Sequence, residues 1–102
     1  MAGGYPLTLW AAGSISGAGA VVKQKGCALA RTGVGIYTVT LDRDLDAADA
    51  AINVTPRGGA GNANPQVAHT SDTVKGVNMF VAAVATDVGF DVMVWKIGDV
   101  GA

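Results

Sequence analysis

The residues best equipped for chemistry stand together at His69-Thr70-Ser71-Asp72, where a base, a hydroxyl and a carboxylate follow one another. Those are the side-chain types of a hydrolytic triad. A triad is assembled from separate elements, however, because neighbours in sequence do not face one another correctly. The run reads instead as a strand end followed by a turn, with Ser71 or Asp72 bonding local backbone. Cys27 with His69 would supply a thiol and a base. Lys25 is the only neighbour able to lower the thiol pKa, and Cys27 leads into Ala28-Leu29-Ala30, so it reads as a small buried hydrophobe. Asp42, Asp44, Asp46 and Asp49 open like a calcium loop, but that loop needs Gly at its sixth position and Glu at its twelfth. Ala47 and Asn53 stand there, and the aspartates read as solvated turn residues.

The glycine-rich segments fare no better as phosphate cradles. Gly33-Val34-Gly35 precedes a strand, whereas a dinucleotide fingerprint must open a helix, and Gly58-Gly59-Ala60-Gly61 lacks the Lys-Ser/Thr of a P-loop. With a net charge of −1 and only Lys23 and Lys25 as a close cationic pair, the footprint of a nucleic-acid binder is missing. The two lysines read as solvating the edge of a strand. No catalytic, cofactor-binding or metal-binding residue is expected, and the chain reads as non-enzymatic. Trp10 and Trp95 carry a different weight, because tryptophan anchors interfaces and stacks on sugars. Trp95 falls in a core or subunit-interface position; Trp10, near the N-terminus, is placed to dock onto a partner.

These residues need elements to hold them. Residues 36–41 alternate, with Ile36, Thr38 and Thr40 on one face and Tyr37, Val39 and Leu41 on the other. Residues 90–97 do the same. Phe90, Val92 and Val94 share one face and Asp91, Met93, Trp95 and Ile97 the other, and both faces are apolar enough for a central strand or one packed on a second subunit. Further strands are predicted over 20–24, 27–30, 52–56, 66–69 and 77–83. Residues 7–10 read as a first strand or an extended arm, 13–19 as a Gly/Ser-rich hinge, and 57–65 as a surface loop. The segment 44–51 reads equally as a single marginal turn capped by Asp46 or as a polar loop. About eight short strands with Gly- and Asp-rich turns predict an all-β fold, a single-domain β-sandwich with a jelly roll as one form of it. The expected division is residues 1–19 as arm or first strand plus hinge and 20–102 as the β-sandwich.

Length and composition agree with that class. At 102 residues the chain is one domain. All acidic residues are aspartates, which favour turns over helices. Aromatic residues make up 6% of the chain and there are 15 glycines, so the core is thin and self-association is expected to support it. A lone Cys27 excludes an intrachain disulfide. Neither a signal peptide nor an apolar run long enough to span a membrane is recognised, so synthesis in a cytoplasm is expected.

Several of these segments carry a resemblance. Arg31-Thr32-Gly33-Val34-Gly35-Ile36-Tyr37-Thr38-Val39-Thr40-Leu41-Asp42, then Val54-Thr55-Pro56-Arg57, His69-Thr70-Ser71-Asp72-Thr73-Val74-Lys75 and Phe90-Asp91-Val92-Met93-Val94, resemble small virion structural proteins of tailed bacteriophages over roughly residues 20 to 97. In that group such chains are capsid decoration (cement) proteins, or less often parts of fibres and spikes. The resemblance implies a non-enzymatic protein on the outer surface of the capsid, acting as a homotrimer and stabilising the shell. The implied partners are the major capsid protein and further copies of itself, without nucleic acid, membrane or cofactor. The expected shell contact is the arm residues Tyr5, Leu7, Leu9 and Trp10; the expected subunit interface is Met93, Trp95 and Ile97. Two rivals follow from the same residues. One is a fibre or spike tip that binds a host glycan or receptor through the 57–65 loop; the other is a small hydrolase built on His69.

Overall fold

Alternating side chains decide which face of each strand is buried, and the strands follow from them. The computed structural model describes residues 6–57 and 63–98. Its strands are β1 (Leu7–Ile15), β2 (Val21–Lys25), β3 (Cys27–Gly33), β4 (Ile36–Leu41), β5 (Ala50–Pro56), β6 (Ala63–His69), β7 (Val74–Val81), β8 (Val84–Ala85) and β9 (Phe90–Ile97). All pairings are antiparallel. They form two sheets, the first in the order β2-β1-β9-β5 and the second in the order β3-β4-β7-β6, with β8 paired to β7. The all-β expectation holds, and the chain crosses from one sheet to the other after β2, after β4, after β5 and between β8 and β9.

The core lies between the sheets. Tyr37, Val39 and Leu41 of β4 are buried, as are Phe90, Val92 and Val94 of β9, so both alternations point the way their residues predict. Cys27, Leu29, Val77 and Met79 join from the second sheet and Ala11 and Ile15 from the first. Burying one such Val or Leu side chain contributes about 1.5–3 kcal/mol. Tyr37 ties the halves together. Its ring meets Phe90 edge-on, with centroids 5.1 Å apart. Its hydroxyl donates to the Gly17 carbonyl at 2.8 Å. Burial raises the Tyr37 phenol above its ordinary pKa, which keeps the proton available for that bond.

Three stretches differ from expectation. Residues 13–15 belong to β1, because Gly13 lies against Gln24 of β2 and Val92 of β9 and is held by pairing on both sides. Asn64 and Pro65 are strand residues of β6; Pro65 is tolerated because β6 is an edge strand. β7 begins at Val74 and ends at Val81, and Ala82 and Ala83 make a two-residue turn into β8. The single turn over Ala47–Asp49 is a 3-10 turn, and Asp46 caps it by accepting from the Ala48 N–H at 3.0 Å.

The crossings are pinned by polar contacts. Lys75 of β7 is fully buried, and its ammonium donates to the carbonyls of Leu45 at 2.8 Å and Ser71 at 2.9 Å. A buried charge needs such partners, and here they fasten the crossover between β4 and β5. At the other end of the molecule, Asp87 accepts from Arg31 Nε and Nη2 at 3.0 and 2.9 Å and from the Gly35 N–H at 2.8 Å. Gly35 has φ +67°, and a Cβ there would stand 2.7 Å from the Met79 carbonyl and the Thr86 nitrogen, so the β3–β4 turn closes onto residues 79–86 only with glycine.

Two stability predictions follow from these contacts. The Ala82-Ala83 turn has φ +51° and +66°, the signature of a type I′ hairpin in which Asn-Gly is preferred. The double change Ala82→Asn, Ala83→Gly is expected to stabilise the protein by about 1 kcal/mol, read as a higher urea midpoint; a lower midpoint would contradict the strain. For Asp87, the Arg31 guanidinium first and the Gly35 N–H second hold the carboxyl below its ordinary pKa. The folded chain therefore binds fewer protons, so this stabilisation is complete above the unfolded value of about 3.9 and is lost as pH falls through the lowered folded value. With both side chains about a third exposed, the effect is modest. Asp87→Asn should be less stable than wild type at neutral pH and converge with it in acid; a constant gap down to the lowest pH would exclude the ion pair as its source.

Candidate functional site

Of the residues with catalytic chemistry, Ser71 and Cys27 make hydrogen bonds within the fold. Ser71 Oγ accepts from the Val74 N–H at 3.0 Å and its carbonyl holds Lys75, so the hydroxyl serves the β6–β7 turn, as the sequence suggests. His69, Ser71 and Asp72 are all exposed on that turn. Cys27 is buried, and its thiol points to the Ala12 carbonyl at 3.8 Å. Burial raises its pKa, partly offset by the hydrogen bond from the Lys25 backbone and reinforced by the Asp42 charge. A raised pKa is the opposite of what a nucleophile needs. Among the described residues, no group of three or more His, Cys or Asp side chains is arranged to hold a metal.

Exposed apolar side chains tell a different story. On β1 and β9 the register sets Leu7 against Ile97, Leu9 against Trp95 and Ala12 against Met93. β5 adds Ala51 beside Trp95 and Asn53 beside Met93. Residues directly opposite in an antiparallel pair share a face, so these side chains form one patch on the outside of the first sheet. Leu7 is 56% exposed, Ile97 51%, Leu9 49% and Met93 40%, and Trp95 is half-buried among them. The outer face of the second sheet is made of Ala28, Ala30, Thr38, Thr40, Asn64, Gln66, Ala68, Gly76 and Asn78, with Ile36 and the half-buried Val74 and Phe80 as its large apolar members. The outer face of the first sheet is therefore the more apolar of the two.

Two groups that the sequence kept apart are thus brought together: Leu7 and Leu9, expected to grip a shell, and Met93, Trp95 and Ile97, expected to join subunits. Tyr5 lies outside the described residues, as do 58–62 of the expected 57–65 loop. Residues 7–15 are a strand paired to β9 and, over residues 12–15, to β2 as well, so removal of residues 2–12 would take most of a strand from a sheet.

Trp10 parts company with Leu7 and Leu9. A β-bulge between Leu9 and Ala11 leaves it without a partner on β9, and it packs against the core. The Arg43 guanidinium lies 3.8 Å over its ring and the Lys96 ammonium 5.8 Å from it, while its indole N–H donates to the Arg43 carbonyl at 3.2 Å. Trp10 closes an end of the core beneath the β4–β5 crossover, where the cation–π contacts help hold its ring. Strand alternation alone places Trp10 opposite Leu9, and that signal was in the sequence. The burial of Lys75 and Lys96 was not anticipated, although alternation puts Lys96 on the same face as Phe90, Val92 and Val94.

Comparison with known proteins gave no match to a family model, a curated protein or a solved structure. The assignment of function therefore rests on the residues and their geometry. If Cys27 is only a core residue, its thiol should react with an aromatic disulfide reagent at least about a hundredfold more slowly in folded protein than in concentrated urea. Equal rates would show an accessible thiol and reopen the Cys27 chemistry.

Proposed function

We propose that this chain is a non-enzymatic virion structural protein that binds the outer surface of a tailed-bacteriophage capsid and stabilises it as a trimeric cement protein. The observation that carries the proposal is the outer face of the first sheet, where Leu7, Leu9, Met93, Trp95 and Ile97 form a solvent-facing apolar patch opposite a largely polar face. The resemblance of the strand and turn segments to small virion proteins supplies the context. In the same proposal the two sheets form a β-sandwich, of which a jelly roll is one form.

The mechanism is bridging. A capsid opens along seams between subunits, and a small oligomer spanning a seam adds contacts that must break first. Because the oligomer holds several sites at once, each contact can be weak while the sum is strong. Catalytic groups are not needed for this work; a rigid body with one surface for its own copies and another for the shell is. The partners are the major capsid protein and further copies of the chain, in the virion.

Quantitative mass spectrometry of purified virus particles tests the proposal. A copy number close to that of the major capsid protein is the expected result. A ratio of a few per cent would make it a tail or fibre component, and absence from particles would overturn the virion assignment.

A further inference from the structure

Resting on the virion reading, we infer that the tip of the β7–β8 hairpin, Val81-Ala82-Ala83-Val84, is the element this chain presses into an uncharged apolar cleft of the shell protein. Bridging needs two surfaces on one body, and this tip belongs to the second sheet, apart from the apolar face of the first.

The tip keeps a strain that the fold does not require. Ala82 and Ala83 hold φ +51° and +66°, a region that Gly or Asn enters far more readily than alanine. Asn-Gly would make the same two-residue turn with less strain. Both alanines are exposed, so no packing inside the fold asks for a methyl group at either position. Strain kept at such a place points to function.

What the strained turn presents is an apolar end. Val84 is 64% exposed. The β3–β4 turn lies against the same hairpin, because Gly35 fits between the Met79 carbonyl and the Thr86 nitrogen. Val34 and Ile36, on either side of Gly35, are exposed as well. Two turns from distant parts of the chain thus carry apolar side chains to one end of the molecule.

Charge narrows the partner. Residues 81–86 carry none, and the first charged residue after them, Asp87, is taken by Arg31 through bonds of 3.0 and 2.9 Å. The tip therefore offers no cation to an acidic peptide or a nucleic acid, and no basic rim to an anionic lipid surface. A neutral apolar hollow in a protein is what it fits.

The hairpin is also held in place before it binds. The Met79 N–H donates to the Gly35 carbonyl at 2.7 Å, the Thr86 N–H to the Met79 carbonyl at 3.0 Å, and the Gly35 N–H to Asp87 at 2.8 Å. A knob fixed in this way loses little freedom on docking. Four residues cover far less than the roughly 800 Å² per partner of a stable interface. One tip is thus a weak contact, and several tips on one oligomer make a strong one.

The test is cosedimentation of the full chain with purified shells freed of it, alongside urea unfolding and native mass spectrometry. Ala82→Asn with Ala83→Gly relieves the turn and makes it polar. That chain should unfold at a higher urea midpoint, keep the wild-type oligomeric state, and bind shells at least about tenfold more weakly. Val84→Asp should keep fold and oligomer and lose shell binding to a similar extent, while Val84→Ile should bind as wild type does. A stabilised doubly substituted chain that coats shells like wild type would overturn the inference, as would undiminished binding by Val84→Asp. A changed oligomeric state in either variant would place the tip between copies and overturn it too. Wild-type protein that fails to bind shells would remove the virion reading and the inference together, whereas equal binding by wild type and both variants would remove the inference alone.

Discussion

The fold depends on one side chain reaching across it. Tyr37 rises from β4 in the second sheet, sets its ring edge against Phe90 of β9 in the first, and ends in a hydrogen bond to Gly17 in the β1–β2 connection. Most of the core around it is Val and Leu, with single Ala, Ile, Met and Cys residues, all of them shorter than Tyr37. Packed sheets stand about 10 Å apart, and a chain poor in aromatics must place its few large rings at the centre. The hydroxyl then has to be satisfied, since an unpaired one in that position would cost about 1–3 kcal/mol. The Gly17 carbonyl meets that need and fixes the connection in return.

Polar groups do the fastening that a larger core would do in a longer chain. Lys75 draws the Leu45 and Ser71 carbonyls together, Asp87 clasps Arg31 to the Gly35 turn, and Arg43 lies on Trp10. Each contact closes a place where the chain leaves one sheet for the other or turns back along it. With the edges of the core secured in this way, the outer face of the first sheet can stay apolar without being needed for stability.

What the sequence makes legible is what period-two alternation encodes. The residues of β4 and β9 point as expected, the 3-10 turn begins where Asp46 can cap it, and Cys27 is buried as a hydrophobe. What alternation cannot encode is pairing. Gly13, Ser14 and Ile15 have the composition of a hinge and become strand because β2 and β9 supply hydrogen bonds on both sides. The single patch made by Leu7, Leu9, Met93, Trp95 and Ile97 is invisible until the register joins residues some ninety positions apart, each group looking like a separate surface on its own. The bulge at Trp10 and the carbonyls that receive Lys75 depend on contacts across the fold, although alternation sets Lys75 on the inner face with Val77 and Met79.

That same register bears on how the protein comes into being. Of the nine described strands β1 leaves the ribosome before the others and β9, its partner along most of its length, after them, with Leu7 paired to Ile97. Pairings so distant in sequence close slowly, because chain entropy is lost before any contact rewards it. The second sheet can assemble from residues 27–81 while the first waits. Through that interval β1 carries its apolar side chains with neither β9 nor a finished core to shield them. Nascent chains are thus most prone to clump just before β9 emerges, and crowding many of them on one messenger favours aggregation over folding. Lowering the level of expression reduces that crowding without any change in the stability of the finished molecule.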